Sequence, residues 1–315
     1  MEIGLCWTAA HKRFFLPDKC RSFSPRHFHF EMKHALHIHT AIGSNGLKSK
    51  AGSGRLRSGM VLRRAGMVFG CVLLLAGGVR AEDVSFTNSL ARAALAEQRG
   101  DVSAALEIYA GAERLAAANS AALCVLTRRY CDLMYLTNAA TIQKELVERA
   151  QACALQAVAA DGKNATAHAC LAICYAKSCA FAGLKDELAY TRLFKLEAEK
   201  TLALDPRQDI ACYLLGRWNY GLANVGLLSR AFVKVVYGGL PKASNEDAIK
   251  YFQQAIGLAP NRIIHHAGLA MVYEATGETK LEIAELEKCQ VLKPGDHEDA
   301  DAQQDAEKKL AVLRR

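Results

Sequence analysis

The chain has 315 residues and a formal net charge of +8, but the charge is unevenly placed. Residues 1–81 carry 13 basic and 3 acidic side chains, and residues 82–315 carry 27 and 29, so the basic excess belongs to the N-terminal segment. That distribution argues against nucleic acid as a partner of the folded part.

Residues 1–59 hold six of the ten histidines and a Gly/Ser-rich run, with no sustained helical or strand period. They read as a disordered segment or an extension upstream of the true start. Met60 opens a different pattern. Arg63 and Arg64 precede a short apolar run, Met67 to Leu75, and Val79 and Ala81 occupy the small-residue positions before a cleavage site. The apolar run is too short for a membrane span. Residues 60–81 therefore predict a secretory signal peptide with Met60 as the start. The expected location is export, most simply the periplasm, with the cytoplasm as the alternative.

From Glu82 the pattern is helical almost throughout. Leu90–Arg99 and Val102–Ala117 make a hairpin around Gly100-Asp101, with Ala105, Tyr109 and Ala112 as its packing stripe. Helices over Ser120–Leu136, Thr141–Ala160 and Ala165–Lys177 follow, and a long helix ends at Leu204-Asp205-Pro206. The central hairpin joins Leu214-Leu215-Gly216-Arg217-Trp218 to a helix carrying Ala248, Phe252 and Ala255 at helical spacing. Gly216 is the small residue that admits the partner helix, and Pro260 ends the second helix. Ile263–Thr276 and Thr279–Leu292 form the next hairpin, with Ala270 in the small-residue place and Pro294 beyond its end. Pro260 and Pro294 are 34 residues apart, the tetratricopeptide period.

Residues 221–244 interrupt that period. Within them Val225–Val236 predicts a helix with an apolar stripe of Val225, Leu228, Phe232 and Val235, and with Arg230 and Lys234 together on another face. The expectation is that the stripe docks on the central hairpin and the basic face meets solvent. A last helix, Glu298–Leu313, has acids at its start and bases at its end, and caps the stack. The fold class is thus all-α. It is a right-handed tetratricopeptide-type solenoid over 82–315, with one inserted helix and a C-terminal capping helix.

These segments, in this order, resemble the regulator of microtubule dynamics proteins from about Leu146 to Arg315. The resemblance is carried by Ala167-His168, Leu204-Asp205-Pro206, Leu215-Gly216-Arg217-Trp218, Leu240-Pro241, Glu246-Asp247-Ala248 and the charged terminal helix. It implies an all-α repeat domain that binds partners. Relatives are associated with microtubules or anchored at organelle membranes, and this chain departs from them in its signal-type segment.

No nucleophile elbow, phosphate loop or dinucleotide fingerprint is present, and none of the eleven cysteines forms a C-x-x-C. The cysteines beyond residue 81 read as small buried hydrophobes, with disulfides open in an oxidising compartment. His168, Cys170 and Cys174 share one helix without making a convincing zinc set. The expected function is therefore a non-enzymatic scaffold, without metal or cofactor, holding a peptide or protein in its concave groove. Arg217, Trp218, Arg230 and Lys234 are the candidate partner-binding residues. Arg217 faces the groove or an acid, and Trp218 is either core or a groove aromatic. The alternative is a carrier of an apolar ligand such as a lipid, with contact to a membrane surface. The oligomeric state is open.

Overall fold

The structure, a computed structural model, describes residues 81–315. The segment 1–59 and all but the last residue of the signal-type segment lie outside the described residues. The described residues form twelve α-helices and no strand. In order they are α1 (Ala81–Gln98), α2 (Val102–Ala116), α3 (Ser120–Leu133), α4 (Ala140–Ala160), α5 (Ala165–Ser178), α6 (Leu184–Leu204), α7 (Asp209–Ala223), α8 (Leu227–Tyr237), α9 (Asn245–Leu258), α10 (Ile263–Thr276), α11 (Thr279–Val291) and α12 (His297–Leu313). Single 3₁₀ turns, Met134–Leu136 and Cys179–Phe181, finish α3 and α5.

Local chemistry sets the boundaries. Asp101, Asn119, Asn164, Ser244 and Asp296 each accept a backbone N–H of the helix that follows, so five starts have a side-chain cap. Gly277 ends α10 at φ +78°, a left-handed conformation that glycine adopts without steric cost. α9 stops at Leu258, two residues before Pro260, and α11 at Val291, before Pro294.

The helices pair as hairpins: α1/α2, α3/α4, α5/α6, α7/α9 and α10/α11, with α12 against both members of the last pair. The first helices stack on one another, α3 on α5, α5 on α7 and α7 on α10, and build the inner layer of the solenoid. Its core is made largely of small residues. Ala105, Ala112, Ala150, Ala154, Ala157, Ala172, Ala248 and Ala255 are all fully buried, which lets helices cross closely with Tyr109, Tyr130, Phe194, Trp218 and Phe252 as the large fillers.

One filler serves two crossings. A Cβ on Gly216 of α7 would lie 3.0 Å from the Phe252 ring, and a Cβ on Gly268 of α10 would lie 2.4 Å from it. The ring is fully buried, so it cannot retreat from either side. Ala270 faces the other way, into a second apolar cluster with Leu286 and Cys289 of α11 and Ala306 and Leu310 of α12.

The inserted helix differs from its expected packing. α8 begins two residues later than its apolar pattern suggests and meets the body through Val233, with Val225 just ahead of it. Phe232 and Val235, two members of the expected buried stripe, are exposed. The reason is Arg230. Its Nη2 donates to the carbonyls of Leu222 (2.7 Å) and Ala223 (3.3 Å), the last turn of α7. A guanidinium at that negative helix end is held strongly. It turns the Arg230–Val233 side inward and the apolar side outward.

Candidate functional site

The inner layer ends in a cavity of about 180 Å³ between α7, α10 and α12. Its floor is Tyr135, after α3, with Tyr213 and Arg217 of α7 and Ile264, Gly268 and Met271 of α10. Its opposite wall is α12, through Glu298, Asp301, Ala302, Asp305, Ala306 and Lys309. α12 is therefore more than the expected end cap, because one of its faces lines the cavity.

Buried polar contacts fix that wall. Asp299 of α12 is fully buried and accepts the N–H of Ile264 (3.0 Å) and of Gly295 (3.1 Å). It thereby caps the otherwise uncapped start of α10. Arg262 pairs with Asp296 at 2.9 Å, and Lys309 bridges Glu274 of α10 and Glu282 of α11, the latter at 3.2 Å.

The floor is aromatic and basic. Arg217 donates to the Tyr213 hydroxyl at 2.6 Å. Burial pushes the Tyr213 hydroxyl up to about 12, so it stays a neutral hydrogen-bonding group near neutrality. Lys177 of α5 donates to the Tyr135 hydroxyl at 3.3 Å and lies over its ring. Nearby, burial pushes the Asp132 carboxyl up to about 6, with Asp296 adding to the shift and Arg129 opposing it.

The four sequence candidates do not converge. Arg217 lies in the cavity floor, 7% exposed, and its guanidinium engages Tyr213. Trp218 is 2% exposed, its indole N–H donates to the carbonyl of Thr191 in α6 at 3.1 Å, and Lys195 covers its ring. It is a core residue with no face for a partner, which corrects its place among the partner-binding residues. Arg230 is half-buried on the end of α7 and so does not share a solvent-facing basic surface with Lys234. Lys234 alone of the four is freely exposed. Sequence reasoning missed Tyr213, Gly268 and the α12 wall. Tyr213 stands one helical turn before Arg217, and that spacing was the available signal.

His168 and His265-His266 are structural. His168 and His266 each span a helix carboxylate and a loop carbonyl, and His265 reaches Asp209 of α7 at 2.8 Å. All eight described cysteines are buried and free, and burial pushes Cys153, Cys179 and Cys289 up to about 12. Among the described residues no group of three His, Cys, Asp or Glu side chains is placed to hold a metal ion. None of the described helices is long and apolar enough to cross a membrane.

The fold is similar to that of a thermophilic tetratricopeptide protein of Thermus thermophilus, TTC0263. The TM-score is 0.50 at 17% identity, over 73% of this chain and 98% of that one. Among curated proteins, regulator of microtubule dynamics protein 3 of Xenopus laevis is 30% identical over 135 residues, covering 43% of this chain and 29% of that protein. Regulator of microtubule dynamics protein 1 of Mus musculus is 28% identical over 137 residues, covering 43% and 45%. The chain thus spans less than half the length of either relative. The family described as regulator of microtubule dynamics protein 1-3 matches residues 89–314, from within α1 to the end of α12. With that match running through every hairpin, the inserted helix and the cavity wall, the chain belongs to the regulator of microtubule dynamics family.

Proposed function

We propose that residues 82–315 act as a non-enzymatic scaffold that holds a peptide or protein segment along the inner layer of helices. The cavity between α7, α10 and α12 is its selective end. The observation that carries this reading is the character of that cavity. Its ~180 Å³ is close to the ~150 Å³ that accommodates a single benzene ring and below the ~300–1,000 Å³ of sites that enclose a whole small molecule. It suits one inserted side chain better than a complete lipid, which favours the scaffold over the carrier.

The walls refine the partner. Tyr135, Tyr213 and Met271 offer apolar contact, while Glu298, Asp301 and Asp305 line one side. A segment presenting an aromatic or aliphatic anchor beside a cationic group fits this combination. A role like that of the named relatives, in microtubule dynamics, requires a cytoplasmic location. The signal-type segment favours an exported protein and a partner outside the cytoplasm.

The test is a cavity-filling substitution on the wall, Ala302→Phe. Affinity capture from the native compartment, followed by mass spectrometry, should show a specific partner with the parent and lose it with the variant, at unchanged helix content. A partner recovered equally by both proteins would overturn the groove assignment.

A further inference from the structure

α8 is amphipathic in the wrong sense for a helix on a water-soluble surface. Its inward side carries Arg230 and Val233, the latter 3% exposed. Its outward side is apolar. Leu227 and Val235 are 85% and 86% exposed, with Ala231 between them on the same i, i+4 row. Phe232 and Val236, on the adjoining row, are 41% and 51% exposed. Elsewhere in the described chain large exposed apolar side chains are scattered singly, which is ordinary. Here they are contiguous on one helix.

The charge around the patch says what covers it. Residues 221–244 contain Arg230, Lys234 and Lys242 and no acidic residue, although residues 82–315 as a whole are slightly acidic. Arg230 is engaged on α7, and two lysines are exposed, Lys234 on the helix beside the apolar rows and Lys242 in the segment that follows it. A second copy of this chain fits poorly. A self-complementary contact through this patch would bring bases against bases; the nearest carboxylates in sequence, Glu246 and Asp247, stand at the start of α9, where Asp247 is already paired with Lys250. A peptide-binding groove is not offered either, because the patch is the outer side of a single helix. An apolar face flanked by lysines is the arrangement that lies in the headgroup region of an anionic bilayer.

We propose that α8 is an interfacial anchor. Its Leu227–Val236 face would enter the outer few ångströms of an anionic lipid surface, with Lys234 and Lys242 among the headgroups. At eleven residues the helix lies on the surface and does not span it. The inference is independent of the groove reading, since the two sites share no residue.

The experiment is flotation of the full-length chain with phosphatidylcholine vesicles containing phosphatidylglycerol, and with pure phosphatidylcholine vesicles. The segment before residue 82 is common to all proteins compared, so differences report on α8. Leu227→Ser/Val235→Ser should lower partitioning to anionic vesicles by about tenfold or more. Lys234→Glu/Lys242→Glu should do so on anionic vesicles but not on neutral ones, by about tenfold. A Phe232→Trp probe should shift to shorter emission wavelength on adding anionic vesicles. All substituted positions are exposed, and circular dichroism of each variant should match the parent. Equal flotation of parent and variants, with no shift from the probe, would overturn the proposal. So would a self-association, seen by sedimentation velocity, that the serine variant abolishes without any change in flotation.

Discussion

His168 and His266 make the same pair of contacts in two different hairpins. Each is the fourth residue of a first helix, α5 or α10. His168 Nδ1 lies 2.6 Å from Glu197 of α6 and its Nε2 3.1 Å from the Gly162 carbonyl. His266 Nδ1 lies 2.7 Å from Glu285 of α11 and its Nε2 2.9 Å from the Pro260 carbonyl. One imidazole thereby ties the second helix of a hairpin to the loop that enters it.

The two clasps should differ in strength. Glu285 is also held by Lys288 at 2.8 Å, whereas His168 is the side chain paired with Glu197. His168→Phe would leave Glu197 and a loop carbonyl without that partner, at about 1–3 kcal/mol for each group. His266→Phe should cost less, because Lys288 still compensates Glu285. Urea unfolding of both variants gives the order, and an equal or reversed order would show that the clasps are not the stabilising feature.

The shared Phe252 ring makes a second prediction. Gly268→Ala should cost about 1–3 kcal/mol by overpacking. Phe252→Leu should lose several tenths to a few kcal/mol alone, yet in combination with Gly268→Ala it should recover part of the loss. A double-mutant cycle measures that coupling. Strict additivity would mean that the ring does not sit between the two glycines.

Asp132 gives a pH dependence with a definite sign. Burial raises its folded-state pKa to about 6, above the ~3.9 of an exposed aspartate. The folded protein therefore binds the proton more tightly than the unfolded chain. Its contribution favours folding below about pH 4 and is lost as pH rises through about 6. Asp132→Asn should raise stability at pH 7 by about 1–2 kcal/mol, allowing for partial solvent screening, and change it little near pH 4. Denaturant melts of parent and variant at the two pH values are the check.

Arg230 and Lys234 should now behave differently from each other. Arg230→Glu places a carboxylate at the carbonyl end of α7 and should destabilise by about 1–2 kcal/mol. Lys234→Glu, at an exposed position, should change the melt by less than about 0.5 kcal/mol. Similar melts for the two variants would contradict the capping geometry.

If residues 60–81 are a secretory signal, their cleavage gives a defined N-terminus. The mature chain purified from its source should begin at Glu82, as read by N-terminal sequencing. A cytoplasmic protein that still carries the Met60 segment would refute it.

The hairpins were legible because their signals are local and repeated. Gly216, Ala248, Phe252, Ala255 and Pro260 stand at the spacings that two crossing helices impose, and the Pro260-to-Pro294 interval repeats them. The cavity was less legible, because its walls come from residues far apart in the chain. Nothing near Asp299 in the sequence says that it caps α10, and nothing near Tyr135 says that it faces α12. The orientation of α8 was not legible for a related reason. Its apolar period shows which residues share a side, but which side turns inward is decided by the bond from Arg230 to another helix.

Phe252 also limits how the chain could be cut or recombined. A hairpin that kept its own aromatic and its own small residue could be duplicated or removed as an interchangeable module. This ring belongs to α9 but fills a notch in α10, so the fourth and fifth hairpins share one key. Excising the unit from α10 onward would leave half of the ring's socket open to water. Grafting another repeat there would demand a glycine at the place of Gly268. The fourth and fifth hairpins therefore have to be kept or exchanged together.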